Sequence, residues 1–583
     1  SLADGSAAAP SLSNTGDLNT GLLFPAADTV GVSVGGTQRL TVGTSGVTVN
    51  GDLATTTSGT SNFVAGVNAG NSITSGGNYN VTVGDEAGTA LTVGGSNTAV
   101  GFDSLKADTK GSHSVAVGVG ALYAQNFTSA TDAYNVAVGR SAGVAVTTGV
   151  RNTLIGGLSG AAMTTGDRNV AVGATSLDAC TTGQYNVAVG NDALTTLTSG
   201  ARNTAVGLQA GAAITTGSGN SFFGSDSGDA TTTGSNNTAV GYNALTANTT
   251  AGSNCALGAY ALTANTTGTS NCAVGSSLVT NTTGTKNTSV GNNALYYNTT
   301  GYDNNAFGLS TLQACTTGYN NSGFGGGGTL LAAALQSLTT GYRNCGFGNG
   351  AAGSTTTGAH NVAVGDAALY TNSTGSDNVA VGQGSLLANT TASLNVGVGY
   401  NAGIALTSTS NNTFIGANAG NNIVTGSNNI MLGSGARGSA TNVSELVIGY
   451  DAVGKGNATG LIYAPGGGAM YQATNASTWA QTSDVRLKKN IVNNDVGLAK
   501  INAIQVRNFD YKTAEEVESD GVLDSSQAVV KTGTQLGVIA QELELICPDC
   551  VTTESTGVKT VSVDNLHWHM LNAIKELSAT NDA

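Results

Sequence analysis

Apolar and polar positions alternate over very short stretches along most of the chain, and the alternation returns on a fixed beat. The unit Asn186–Arg202 reads N-V-A-V-G-N-D-A-L-T-T-L-T-S-G-A-R. Val187 and Val189 flank Ala188, a period-two pattern that predicts a strand with one buried face, and Gly190 ends it. Ala193 and Leu194 supply a second apolar contact, and Thr198-Ser199-Gly200 is turn chemistry. With the Asn as origin, units start at Asn80, Asn97, Ser114 and Asn135 and continue to Asn429, and a degenerate last unit starts near Glu445. Of the 21 spacings between these 22 starts, 17 are 17 residues; the others are 21 before Asn135, 16 before Asn287, 23 before Asn344 and 16 at the end. The insertions of four and six residues are expected to be loops.

A unit with three or four modest apolar side chains cannot bury a core of its own, whereas stacked units can. Seventeen residues are too few for two helices and a turn, and the β-branched, Gly-punctuated composition argues against helix. The expected fold class is therefore mostly β, a parallel β-solenoid or β-roll with one unit per rung. At about 4.8 Å per rung, the 22 units would extend roughly 100 Å. Equivalent residues then lie above one another, so the Asn column becomes a structural ladder of hydrogen-bonded amides.

Composition narrows the function classes. The 86 Gly among 583 residues come with only 4 Pro and 40% hydrophobic residues, which excludes collagen and a disordered linker. A net charge of -14 argues against a nucleic-acid partner. No run of about 20 apolar residues exists, and the start Ser1-Leu2-Ala3-Asp4-Gly5 has no signal-peptide character, so neither membrane insertion nor a leader is expected. The absence of an initiator Met suggests a fragment or a processed chain. Seven cysteines, an odd number, do not form an evident disulfide framework; Cys255 and Cys272 fall at the same position of successive units, as small thiols or a possible pair. Asn248, Asn265, Asn281 and Asn298 each open an N-T-T sequon but are expected to be turn residues. The Thr pairs precede turns and do not alternate along a flat strand, which argues against an ice-binding face.

The repeat resembles the S-V-A-I-G type unit in the heads of trimeric autotransporter adhesins, which implies left-handed parallel β-rolls assembled as trimers. A thin rung supports a homotrimer independently, because three packed rolls bury surface that one leaves exposed. Residues 1–60 lack the beat and form a β-rich connector. Their D-G-S-A-A-A-P-S-L-S-N-T-G-D-L-N-T-G-L-L-F-P from Asp4 and G-G-T-Q-R-L-T-V from Gly35 resemble connecting segments of phage tail fibres. The repeat shaft is assigned to 61–449 and a Gly-rich β stem to 450–482.

At residue 483 the composition changes. The last 101 residues hold 24 charged residues, against 30 in the preceding 482, which marks a small α+β domain at 483–583. It carries S-D-V-R-L-K-K-N-I from Ser483, G-L-A-K-I-N-A-I from Gly497, F-D-Y from Phe509, G-V-I-A-Q-E-L-E from Gly537 and A-I-K-E-L from Ala573. Over nearly all of 483–583 this order resembles the intramolecular chaperone domain of endosialidase-type phage tail spikes and fibres, a self-cleaving peptidase family. The resemblance implies a domain that trimerises, templates the fibre ahead of it and releases itself through a Ser-Lys dyad. On this chain the nucleophile is Ser483 and the base Lys488, and the cut is expected beside Ser483, at the Ser483–Asp484 bond. A lysine serves as base only where burial or positive neighbours favour its neutral form, and Arg486 and Lys489 are such neighbours.

Leu566, Met570, Leu571, Ile574 and Leu577 fall on one helical face, as in a packed or inter-chain helix. Thr513–Gln535 is longer and more acidic than the family's usual hairpin. Cys547-Pro548-Asp549-Cys550 is a lone C-x-x-C; zinc would need two further ligands, with His567 and His569 as candidates, but apolar packing is the simpler explanation and no metal or other cofactor is expected. The expectation is a structural, host-binding tail fibre of a bacteriophage, made in the host cytoplasm and carried on the virion tail. Its partners would be two further copies, other tail proteins and a host-surface glycan or protein receptor. The alternatives are a cellular trimeric adhesin with the same chaperone and a polysaccharide-degrading tailspike. The only enzymatic act expected is one turnover of self-cleavage.

Overall fold

The computed structural model describes residues 4–49, 57–328, 331–464, 469–472, 480–481, 485–494, 497–520, 522, 528–529, 531–554 and 556–582. The chain divides into two compact units, Ser1–Gln481 and Thr482–Ala583. The first begins with a five-stranded antiparallel meander from Leu12–Asn14 to Gly46–Val49. The rest is a parallel β-solenoid: 24 short strands, from Phe63–Ala65 to Gly460–Tyr463, pair in one in-register ladder and so define 23 turns. The array starts one turn before Asn80, at Asn62, which is 18 residues upstream. It closes where Ala469–Gln472 pairs antiparallel with Gly460–Tyr463.

Each turn is held to the next by its asparagine. Asn186 Oδ1 accepts the Asn203 backbone N–H at 3.0 Å and the Asn203 side-chain N–H at 3.2 Å, while Asn203 Nδ2 also donates to the Gly217 carbonyl at 2.9 Å. The pattern recurs with both amide atoms buried, so an otherwise costly polar column is satisfied at each step. Glu445 ends it, accepting the role of Asn: its backbone N–H donates to Asn429 Oδ1 at 3.0 Å and its own carboxylate accepts from Gly456 N–H at 2.9 Å. A threonine column runs beside it; Thr198 Oγ1 donates to the Thr215 carbonyl at 3.0 Å.

The N-T-T asparagines also point inward. Asn248, Asn265, Asn281 and Asn298 are fully buried and form a second ladder, with Nδ2-to-Oδ1 distances of 3.1, 2.8 and 2.7 Å. They occupy the site that Leu197 and Met163 fill in other turns, and are closed to a glycosyltransferase. Cys255 and Cys272 are in-register neighbours and remain free thiols, half-buried.

The core is one residue deep. The middle residue of each strand is inward, usually Ala, and faces a Leu five or six residues on. That leucine adopts a left-handed conformation, as Leu194 does at φ 52° and Leu245 at φ 58°. Burial of the whole side chain offsets a backbone cost of roughly 1–2 kcal/mol. Where the strand centre is Leu154, Phe222 or Phe414, the leucine is replaced by glycine in its own and the preceding turn. A Cβ on Gly228 would lie 2.6 Å from Phe222 Cζ, and one on Gly211 would lie 2.9 Å from Phe222 Cδ2. Leu154 and Phe414 are flanked by Gly143 and Gly160 and by Gly403 and Gly420 in the same way. The glycine closing each strand has a different reason: at Gly190 φ is 137° and a Cβ would lie 2.3 Å from the Gly207 carbonyl oxygen.

Outward, the last position of the three-residue strands is apolar in every turn from Val83 to Leu432, and Ile448 and Ile462 continue the column. Ile155, Phe223, Phe347 and Ile415 are among its more exposed members. The four-residue insertion is accommodated beside an extra parallel pair, Gly111–Ser112 with Thr131–Asp132. The six-residue insertion lies outside the ladder, since Ser322–Phe324 still pairs directly with Cys345–Phe347.

Near the first insertion the core holds an acid. Asp108 is fully buried and accepts from Gln125 Nε2 at 2.7 Å, Gly111 N–H at 3.0 Å and Phe127 N–H at 3.3 Å. Burial raises its pKa above the ordinary carboxylate value, against the lowering effect of those bonds.

Two predictions follow from this packing. Phe222→Ala should cost about 3–5 kcal/mol, read as lost hydrogen-exchange protection around residues 203–237; adding Gly228→Leu restores the Ala/Leu pairing of other turns and should recover part of it. Because the folded state favours neutral Asp108, its contribution is full below the ordinary carboxylate pKa and is lost as pH rises toward the raised value. Protection factors for residues 97–135 should therefore fall as pH rises above the ordinary carboxylate range, and Asp108→Asn should remove that slope; an unchanged slope contradicts the assignment to Asp108.

Candidate functional site

The second unit opens at the motif that carries the expected dyad. Ser483 and Asp484 lie outside the described residues. Val485–Leu487 forms a single 3-10 turn, closed by Lys488 N–H donating to the Val485 carbonyl at 3.1 Å, and Arg486, Lys488 and Lys489 are exposed. The turn places Lys488 on the surface of the single chain.

Among the described residues four α-helices follow: α1 (Leu498–Ala503), α2 (Ala514–Asp520), α3 (Ala540–Ile546) and α4 (Val563–Asn581). The acidic segment at 513–535 supplies α2, whose first turn carries Glu515 and Glu516. Its end, Gln535–Gly537, pairs with Arg507–Phe509. Ser562 caps α4 by accepting the Asn565 N–H. Glu576 on α4 receives the first amides of α1, Gly497 N–H at 2.7 Å and Leu498 N–H at 2.8 Å, placing a carboxylate at that helix N-terminus. Gly497 packs so closely on α4 that a Cβ would lie 2.2 Å from the Ala573 nitrogen.

Among the described residues of the unit, the buried apolar cluster is Leu543, Cys547 and Cys550, with Ile504, Val538, Val551, Val561 and Leu566 packed around it. The expected single apolar face of α4 divides in two. Leu566 packs on this cluster, His569 is buried beside Asp549 and Ala573 beside Gly497, while Trp568, Leu571, Ile574 and Leu577 are exposed, because a helix with 3.6 residues per turn cannot turn all these positions to one narrow contact. Trp568 is 65% exposed and Ile574 63%, an unusual investment for a monomer surface.

Cys547 and Cys550 bracket the 3-10 turn Pro548–Cys550 and are joined by a disulfide, with Cα atoms 5.4 Å apart. His569 reaches them from α4, its Nε2 2.8 Å from Asp549 Oδ2, while Asp549 Oδ1 lies 3.2 Å from Cys547 Sγ. The His569 hydrogen bond, with Lys500 nearby, lowers the Asp549 pKa below the ordinary carboxylate value. His567 is exposed and takes no part. Sequence spacing singled out the cysteines and histidines, but not Asp549, the residue inside the motif that links them.

Residues 483–552 match the family model described as "Chaperone of endosialidase". The C-terminal unit therefore carries a chaperone domain of the endosialidase type, and the match begins at Ser483. It stops short of the span expected from the motifs: residues 553–583, including α4, lie beyond it. No curated protein and no solved structure matches the chain.

The α1–α4 contact is directly testable. Gly497→Ala should destabilise the C-terminal unit by about 1–3 kcal/mol through overpacking, visible as a lower melting transition of that unit, whereas Ala499→Gly, on the same helix, should act only through helix propensity.

Proposed function

We propose that the chain is the homotrimeric, host-binding tail fibre of a bacteriophage, folded by a C-terminal chaperone that then cuts itself off beside Ser483. The observation that carries this is the order of the two units: a register-degenerate solenoid of 23 turns followed immediately by an endosialidase-type chaperone domain. Stacked turns that resemble one another define alignment between chains poorly, and a folded, non-repeating nucleus at one end supplies it.

Two surfaces support assembly from three copies. The outward apolar column of the solenoid continues through successive turns from Val83 to Leu432, a continuous apolar stripe of the kind that marks an interaction surface. The C-terminal unit likewise exposes Trp568, Leu571 and Ile574 on α4. Closed threefold packing satisfies both. Assembly around residues 485–489 would also withdraw Lys488 from solvent, the setting in which a lysine deprotonates Ser483. Ser483 Oγ, its proton passing to Lys488 Nζ, attacks the scissile carbonyl beside Ser483; the amine of the broken peptide bond leaves with that proton, and water hydrolyses the resulting ester. Cleavage leaves a fibre that can no longer retrace its folding route and is kinetically trapped. Receptor contact falls to the shaft, its loops or the mature tip, and the receptor is a host-surface glycan or protein.

The test is the intact denatured mass of the full chain beside Ser483→Ala, with the native mass of each by sedimentation. The wild type should release a piece of about 11 kDa and Ser483→Ala none, both sedimenting as three chains. A wild type that stays whole removes self-cleavage, and a native mass of one chain removes the trimer.

A further inference from the structure

Apart from the dyad, the described residues hold one cluster of soft and borderline metal ligands. We propose that Cys547, Cys550, His569 and Asp549 form a zinc site when the two cysteines are reduced. One ligand atom from each residue lies within 4.8 Å of all the others. A tetrahedral zinc with bonds of about 2.0–2.3 Å places its ligands roughly 3.3–3.8 Å apart, so small side-chain rotations from the present arrangement suffice. The two cysteines come from one tight turn, the spacing that lets a C-x-x-C grip one ion, and the turn holds their Cα atoms 5.4 Å apart.

The environment is selective as well as compact. Cys547, Cys550 and His569 are 1%, 0% and 3% exposed, which gives a dry, sulfur-rich pocket suited to zinc and not to magnesium or calcium. A disulfide alone explains the cysteines but not the buried imidazole turned onto them or the carboxylate that spans from Cys547 to His569. Asp549 is half-exposed and also lies 3.5 Å from Lys500 Nζ, which makes it the outermost of the four ligands. Binding is balanced without an oxidant or reductant: Zn²⁺ replaces the two thiol protons and the His569–Asp549 hydrogen bond, and two thiol protons leave. The disulfide is the other state of the same pair.

The consequence is structural. The site joins the C-terminal end of α3 to α4, and small units of about 100 residues gain stability from such a metal or disulfide cross-link. In a reducing cytoplasm zinc would hold α4 in place while its outer face is still unpartnered.

The experiment uses the full chain without a polyhistidine tag, purified with a phosphine reductant, and counts zinc per Cys547-containing polypeptide. About one zinc is expected in the wild type, none in Cys547→Ser/Cys550→Ser, and at least tenfold weaker zinc binding in His569→Gln by competition with a chromophoric chelator. Because the double variant can fail to fold, the wild type is also loaded with Co²⁺, where thiolate-to-cobalt absorption and strong tetrahedral bands are expected. A reduced wild type that shows no cobalt–thiolate absorption, or holds no more zinc than the folded double variant, overturns the site. Wild-type zinc affinity in His569→Gln overturns its four-residue composition.

Discussion

The amide of one asparagine per turn sets the geometry of the whole first unit. Its oxygen accepts the backbone N–H of the next asparagine, and its nitrogen bonds a carbonyl 14 residues on, so adjacent turns are clamped at two points of their circumference. Between those points the chain has little choice. The strand must be three residues long, its centre must point inward, and the closing glycine must bring its backbone against that of the next turn. Removing the clamp would leave two buried amide groups unsatisfied, a cost of about 1–3 kcal/mol per group, which explains why the position changes only where another polar network replaces it. At Ser114 that replacement is Gln125, which donates to Ser114 and accepts from Asn135.

This constraint makes the core a matter of pairwise volume. With one layer of side chains between the walls, a large residue at a strand centre has nowhere to expand except into the adjacent left-handed site, so Phe222, Phe414 and Leu154 each require glycine there in two successive turns. The common alternative, Ala at the strand centre with Leu in the left-handed site, fills the same space from the other wall. Only the leucine solution accepts an unfavourable backbone conformation, which burial of the side chain offsets; glycine adopts the same left-handed φ without that cost.

Much of this was legible because it is periodic. The strand, its closing glycine and the asparagine column recur often enough to be read without a structure, and the motif order from Ser483 pointed to the chaperone domain. The turn at Asn62 escaped because its strand reads Phe63-Val64-Ala65 and its spacing is 18. The N-T-T asparagines read as turn residues because a polar side chain next to threonines normally faces water; only stacking shows that each finds its partner in the turn below. The left-handed leucines carry no local signal, since leucine does not prefer that conformation and tertiary packing imposes it. In the second unit the division of α4 into two faces, and the link from Asp549 to His569, arise between segments 20 residues apart that share no repeat.

For the proposed assembly of copies, periodicity has a cost that the exceptions to it reduce. If copies pack through the outward column, sliding one by a single turn sets valine against valine over most of the length and changes the contact energy little. The discriminating positions are the irregular ones. Phe307, Phe324 and Phe347 stack at 4.7 and 4.5 Å, and Tyr302, Tyr319 and Tyr342 at 5.0 and 4.9 Å, so both aromatic runs fall in the same three turns, beside the six-residue insertion. A slip of one turn would oppose Phe347 to Val364 and misplace the insertion. These features penalise a wrong alignment once the turns have formed, but they lie over 100 residues from the end of the chain and cannot choose it at the start. That choice requires a short segment with no internal repeat, its own helices and an exposed apolar face, and the unit beginning at Thr482 has those properties.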